Sequence, residues 1–129
     1  MKENRLKLAK EWFVKGDHDL TSAELLYKNH GYTDIIAVLI QQAIEKYLKG
    51  CLISQGWKLR RIHDLVELLK EAIRMDKSFN KFLPVCEKIT KYYYDTRYPY
   101  SAVEYSRGEI KQSLKEARQI INKIKEAIE

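Results

Sequence analysis

The sequence predicts an all-α protein: an antiparallel up-and-down four-helix bundle with an extra short helix. Three observations carry that prediction. Only two prolines and five glycines interrupt 129 residues, which favours long helices over many strands. Apolar residues recur at alternating steps of three and four in the first and last long segments, the period of a helical seam. The connections between periodic segments are short, as between antiparallel neighbours. The length fits one domain spanning residues 1–129, and a 45% hydrophobic share is enough for its single core.

The first helix is expected from about Asn4 to Lys28. Leu6, Ala9, Phe13, Gly16, Leu20, Ala23 and Tyr27 form its seam, with Trp12, Asp19 and Leu26 in a second row beside it. Asn29-His30-Gly31 ends it, with Gly31 placed for a left-handed cap. The second helix runs from about Thr33 to Gln55. Ile36, Leu39, Ile40, Ala43, Tyr47, Gly50 and Cys51 make its core face, widened by Ile44 and Leu48. So broad a stripe implies burial on more than one side, in a central helix or one also used in self-association. Gly56 closes it.

Residues 57–62 read as a basic connector containing Lys58, Arg60 and Arg61. A third helix starts at Asp64, which with Glu67 resembles a capping box; Leu65, Leu68, Leu69, Ala72 and Ile73 follow at helical spacing. Met75 to Asn80 reads as a loop. Phe79, Phe82, Cys86, Ile89 and Tyr93 suggest the next helix, with Pro84 in its first turn and Pro99 at or beyond its end. The last helix is expected from about Val103 to Ile128. Its seam is Val103, Ile110, Leu114, Ala117, Ile121, Ile124 and Ile128, with Arg107 occupying one step.

A net charge of +6 favours anionic partners without specifying nucleic acid. Cys51 and Cys86 lie in apolar surroundings without ligand spacing and read as buried free thiols. The N-terminus has no apolar run of a signal peptide, and no stretch is long and apolar enough to cross a membrane, so a cytoplasmic location is expected. No Gly-rich phosphate loop, nucleophile elbow or zinc motif occurs, and no cofactor is expected.

Four constellations remain as candidates for chemistry. Tyr92–Tyr100 holds five of the nine tyrosines and Arg97 where a connector would ordinarily be polar. Rings beside a guanidinium suit a planar anion such as a nucleotide, or simply fill space between helices. His63 beside Asp64 is either a phosphate contact or acid–base group, or merely the residue before a helix cap. Gln42, Glu45, Lys46 and Lys49 line one polar side of the second helix, with Glu45 and Lys49 spaced to pair along the surface. That side is a solvated face or a groove wall. Asp17-His18-Asp19 cannot converge on a metal, because successive helical residues diverge by about 100°. Asp19, beside the seam, calls for a basic partner, Arg97 or Lys46.

In order along the chain come Trp12 with Asp19-Leu20 and Ala23, Gln42 through Lys49, His63-Asp64-Leu65, and Arg97-Tyr98-Pro99. Taken together they resemble the HEPN domain, named for higher eukaryote and prokaryote nucleotide binding. The resemblance implies a helical bundle, usually a homodimer, with a role towards nucleotides such as ATP or RNA. It also implies a minimal nucleotidyltransferase partner, in some pairs as toxin and antitoxin. Many HEPN proteins are metal-independent ribonucleases whose motif is an Arg followed four to six residues later by His. This chain lacks that motif, since no His follows His63. The resemblance therefore points to the nucleotide-binding branch, with no catalytic residue assigned. The implied ligand residues are Arg97 and Lys46 for phosphate, Tyr98 for stacking, and His63 with Gln42 for polar contacts. Asp19 would orient Arg97. Two other readings stand beside it: a ribonuclease centred on His63 and Arg97, and a non-catalytic interaction scaffold.

Overall fold

The computed structural model describes residues 2–98 and 104–128. Five α-helices follow one another: α1 (Lys2–Lys28), α2 (Thr33–Ser54), α3 (Leu65–Met75), α4 (Leu83–Asp95) and α5 (Arg107–Ile128). A 3-10 helix (Lys77–Phe82) lies between α3 and α4. No strand occurs among the described residues, and none of their helices is long and apolar enough to cross a membrane. Pro99, Tyr100 and Val103 lie outside the described residues.

Helix α2 is the axis of the fold and packs on each of the other four α-helices. Its broad apolar stripe therefore belongs to a central helix. Ile36, Ile40, Ala43, Ile44, Tyr47, Leu48 and Leu52 are fully buried along it. Each such side chain, if large, contributes roughly 1.5–3 kcal/mol relative to exposure.

Helices α1 and α2 approach closely because each offers a glycine to an aromatic ring of the other. A Cβ on Gly16 would stand 2.7 Å from the Tyr47 ring, and one on Gly50 would stand 2.6 Å from the Phe13 ring. Those two rings stack at 4.8 Å. Gly16 meets the Ala43 carbonyl and Gly50 the Ala9 carbonyl. The later residue of one helix thus meets the earlier residue of the other, so the pair is antiparallel.

Both helices end in the same six-to-one and five-to-two hydrogen-bond pattern. In α2, Trp57 N donates to Leu52 O and Gly56 N to Ile53 O, with Gly56 at φ 94°. In α1, Gly31 N donates to Leu26 O and His30 N to Tyr27 O. Here the sequence expectation needs correcting: His30, at φ 57°, takes the left-handed position, not Gly31. Gly31 is one residue further on, where a Cβ would stand 2.9 Å from Leu26 Cδ2.

Two boundaries also differ. Met75 to Asn80 is not a loop: α3 runs through Met75, and Phe79 and Phe82 bury themselves from the 3-10 helix rather than from α4. Asp76 starts that helix by accepting from the Ser78 N–H and hydroxyl at 3.0 and 2.6 Å. Helix α5 begins at Arg107, and residues 104–106, expected to be helical, precede it outside the helix. Arg107 fills its place in the α5 seam by leaving the apolar pattern. Its guanidinium donates to Tyr27 O at 3.0 Å and lies 4.1 Å over the Tyr27 ring, tying α5 to the C-terminal end of α1.

Candidate functional site

The site grows from Glu45, a carboxylate on α2 that is 4% exposed. A buried carboxylate needs several donors, and three side chains supply them. Lys49 Nζ, one turn on and also 4% exposed, lies at 3.0 Å. Gln41 Nε2, one turn back, lies at 3.1 Å. His63 Nδ1 faces both oxygens, at 3.2 and 3.3 Å. The second hydrogen of Gln41 Nε2 goes to the His63 carbonyl at 2.9 Å, while Gln41 Oε1 accepts from Gln42 Nε2 at 2.6 Å. This network fixes the Gln41 amide, because the reverse orientation would set its oxygen against two acceptors. Lys49 also lies 5.7 Å from the Trp12 ring of α1.

His63 ends the connector before α3, and the connector is held on both sides of it. Asp64 caps α3, its Oδ1 accepting from Val66 N at 2.8 Å and Glu67 N at 3.4 Å. Leu65 N donates to Thr90 Oγ1 of α4 at 2.9 Å. The imidazole then lies flat on Tyr93 of α4, ring centroids 4.6 Å apart and planes 14° apart. Arg97, one turn beyond Tyr93, brings its guanidinium 4.0 Å from the same ring. Tyr94 meets Tyr93 edge-on at 5.2 Å. Burial, followed by the nearby Asp64 carboxylate, Tyr93 phenol and Glu67 and Glu45 carboxylates, raises the Tyr94 phenol above its ordinary range. It therefore stays neutral at physiological pH.

The result is one continuous line of side chains, Lys49–Glu45–His63–Tyr93–Arg97. It carries a buried ion pair at one end and an exposed cation at the other. Towards α1, Lys46 pairs with Asp19 at 2.5 Å and lines a shallow cleft of about 210 Å³ with Leu8, Glu11, Trp12 and Lys15.

A profile of the HEPN domain matches residues 9–127. The chain belongs to the HEPN domain family. Two solved structures share its fold. TT1696 from Thermus thermophilus superposes with a TM-score of 0.77 at 26% identity, covering 92% of this chain and 96% of that one. ST0689, described as an archaeal HEPN homologue, superposes with a TM-score of 0.76 at 24% identity, covering 94% and 98%. No match was found among curated proteins.

In this HEPN domain, His63, Gln42 and Arg97 join a single network through Gln41, Glu45 and Tyr93. Tyr98 follows Arg97 and is 52% exposed. Two expectations are corrected. Glu45 and Lys49 do pair, but inside the protein rather than along a surface, because α2 is covered on that side too. Asp19 is bonded to Lys46 and does not orient Arg97, whose cation instead faces a ring. Asp64 caps α3 as the sequence suggested, and the carboxylate on His63 is Glu45.

Gln41, Glu45 and Tyr93 were missing from the expected ligand residues. Glu45 and His63 are 18 positions apart, so only tertiary packing pairs them. The Tyr92–Tyr94 run divides as helical geometry requires: Tyr92 is 1% exposed, Tyr93 intermediate and Tyr94 46% exposed.

Proposed function

We propose that this chain is a nucleotide-binding HEPN module that takes an ATP-like nucleotide or an RNA phosphate at the His63–Tyr93–Arg97 surface. The observation that carries the reading is the joint approach of His63 and Arg97 to one tyrosine ring, 4.6 and 4.0 Å from its centre. The arrangement gathers a guanidinium and an imidazole around one aromatic ring, groups that suit a phosphate attached to a flat base. Tyr98 adds a ring for stacking, Gln42 a polar edge, and Lys46, held by Asp19, a second cation. Family membership supports the rest of the proposal: a homodimer in the cytoplasm working beside a minimal nucleotidyltransferase, as a toxin–antitoxin-like pair.

Calorimetric titration of ATP and the other nucleoside triphosphates into wild type and Arg97→Ala tests this. Wild type should bind, and Arg97→Ala should weaken binding about tenfold or more, as expected for losing a charge-assisted contact. Absence of binding by wild type to any of them would remove the nucleotide reading.

A second reading has one specific observation in its favour. Glu45 holding His63 Nδ1 is the arrangement of an oriented general base, and Arg97, on the same tyrosine ring, would be the cation to steady a phosphate. This would be a metal-independent ribonuclease with a non-standard centre. Purified protein that leaves RNA intact, or cleaves it equally well after His63→Gln, would exclude it. If neither ligand nor cleavage is found, a non-catalytic scaffold is what is left.

A further inference from the structure

The hydrogen bonds around His63 decide what its outer nitrogen can do. Glu45 accepts from Lys49 Nζ and Gln41 Nε2, so it is an ionised carboxylate with no hydrogen to give. The hydrogen between Glu45 and His63 therefore sits on His63 Nδ1. A neutral imidazole has only one N–H. With that hydrogen on Nδ1, Nε2 carries a lone pair. The His63 side chain is 44% exposed, and among the described residues no hydrogen bond reaches Nε2.

A phosphate oxygen is also a lone-pair acceptor, so a neutral His63 held in this way opposes it. Only the imidazolium, with hydrogens on both nitrogens, can satisfy Glu45 and a phosphate together.

We propose that Glu45 is a positioning residue that makes phosphate binding at His63 proton-coupled: the site takes up one proton at Nε2 with each anion it binds. This rests on the reading that a nucleotide phosphate reaches His63. The charged and titratable groups around His63 are compatible with it. From α2 come Glu45 and Lys49, a pair of zero net charge. From α4 come the Tyr93 and Tyr94 phenols, Tyr94 held neutral, with the Arg97 cation just beyond. From the start of α3 come Asp64, engaged by the α3 N–H groups, and Glu67, both near enough to act on Tyr94. A ligand that offers a hydrogen, such as a ribose hydroxyl or a base amino group, would meet the lone pair directly and need no proton.

Titration of ATP in two buffers of different ionisation enthalpy measures the protons bound with the ligand. Proton exchange by the ATP phosphates is common to wild type and His63→Gln, so the difference between the proteins isolates His63. At alkaline pH wild type should take up about one proton more than His63→Gln, and its affinity for ATP should fall more steeply with rising pH than that of His63→Gln. Glu45→Gln frees the tautomer, because its amide can accept as well as donate. The extra proton uptake should then fall and binding at high pH should improve relative to wild type. If that variant unfolds by stranding Lys49, Glu45→Gln with Lys49→Met replaces it.

Heteronuclear NMR of the free protein should show His63 in its Nδ1–H form. Observing the Nε2–H form, or equal proton uptake by wild type and His63→Gln while both bind, would overturn the coupling and leave nucleotide binding intact. No heat with ATP in either buffer would overturn the ATP reading and the coupling together.

Discussion

The ring of His63 lies parallel to that of Tyr93, 4.6 Å away, while its Nδ1 faces the buried Glu45. The imidazole is thus fixed from two directions, by a face and by an edge. Tyr93→Ala should remove the face without emptying the core, since Tyr93 is only partly buried. A stacked ring pair is worth about 0.5–1.5 kcal/mol beyond area. Nucleotide affinity should therefore fall several-fold, with a thermal midpoint near that of wild type, as calorimetric titration and thermal melts would show.

The Glu45–Lys49 pair is a different matter. Removing one partner strands the other charge in the interior, which costs about 3–5 kcal/mol. Glu45→Ala should lose about that much in urea denaturation. The double variant Glu45→Leu with Lys49→Met should recover most of it, because replacing both charges leaves neither one buried alone.

Helix α1 sits close to α2 through Gly16 and Gly50. Gly16→Ala must move the Tyr47 ring, and Gly50→Ala must move Phe13 as well as the backbone at Ala9, whose carbonyl would stand 3.0 Å from the new Cβ. Each should lower stability by about 1–3 kcal/mol in denaturant titrations, with Gly50→Ala the worse. His30→Gly should act in the opposite sense. It relieves a left-handed conformation at φ 57° and should raise stability by about 0.5–1 kcal/mol.

Alkaline pH should destabilise the fold. Burial, aided by Asp76, pushes the Cys51 thiol from 9.0 up to about 11; burial, aided by Asp64, pushes Cys86 from 9.0 up to about 12. Both values are raised in the folded chain. The associated stability is therefore complete below 9.0 and is lost as pH rises towards about 11 and 12. Urea midpoints measured from neutral to alkaline pH should begin to fall near 9.0, and Cys86→Ala should give a shallower fall. The same two thiols should resist alkylation until the chain unfolds.

The helices could be read in the sequence because local rules govern them. The three–four seam placed α1 and most of α5, Asp64 marked the start of α3, and Gly56 the end of α2. Tertiary choices were harder to read. Local propensity favours Gly31 for the left-handed position, yet the register of the α1 cap gives it to His30. The Asp76 cap makes a 3-10 helix of a polar stretch that otherwise resembles a loop. At the site, His63, Arg97, Lys46 and Asp19 could be picked out as candidates by residue type and spacing, but not that Asp19 pairs with Lys46 rather than Arg97. The buried state of Glu45, and its hold on a histidine 18 positions away, required the packing of α3 and α4 against α2.

Whether nucleotide binds at the His63–Tyr93–Arg97 surface is tested most directly by heteronuclear NMR of the labelled protein titrated with ATP. Saturable shifts should concentrate on His63, Tyr93, Arg97 and Tyr98, with smaller ones at Gln42 and Lys46. An unperturbed spectrum, or shifts gathered instead on the cleft lined by Phe82 and Lys123, would contradict it.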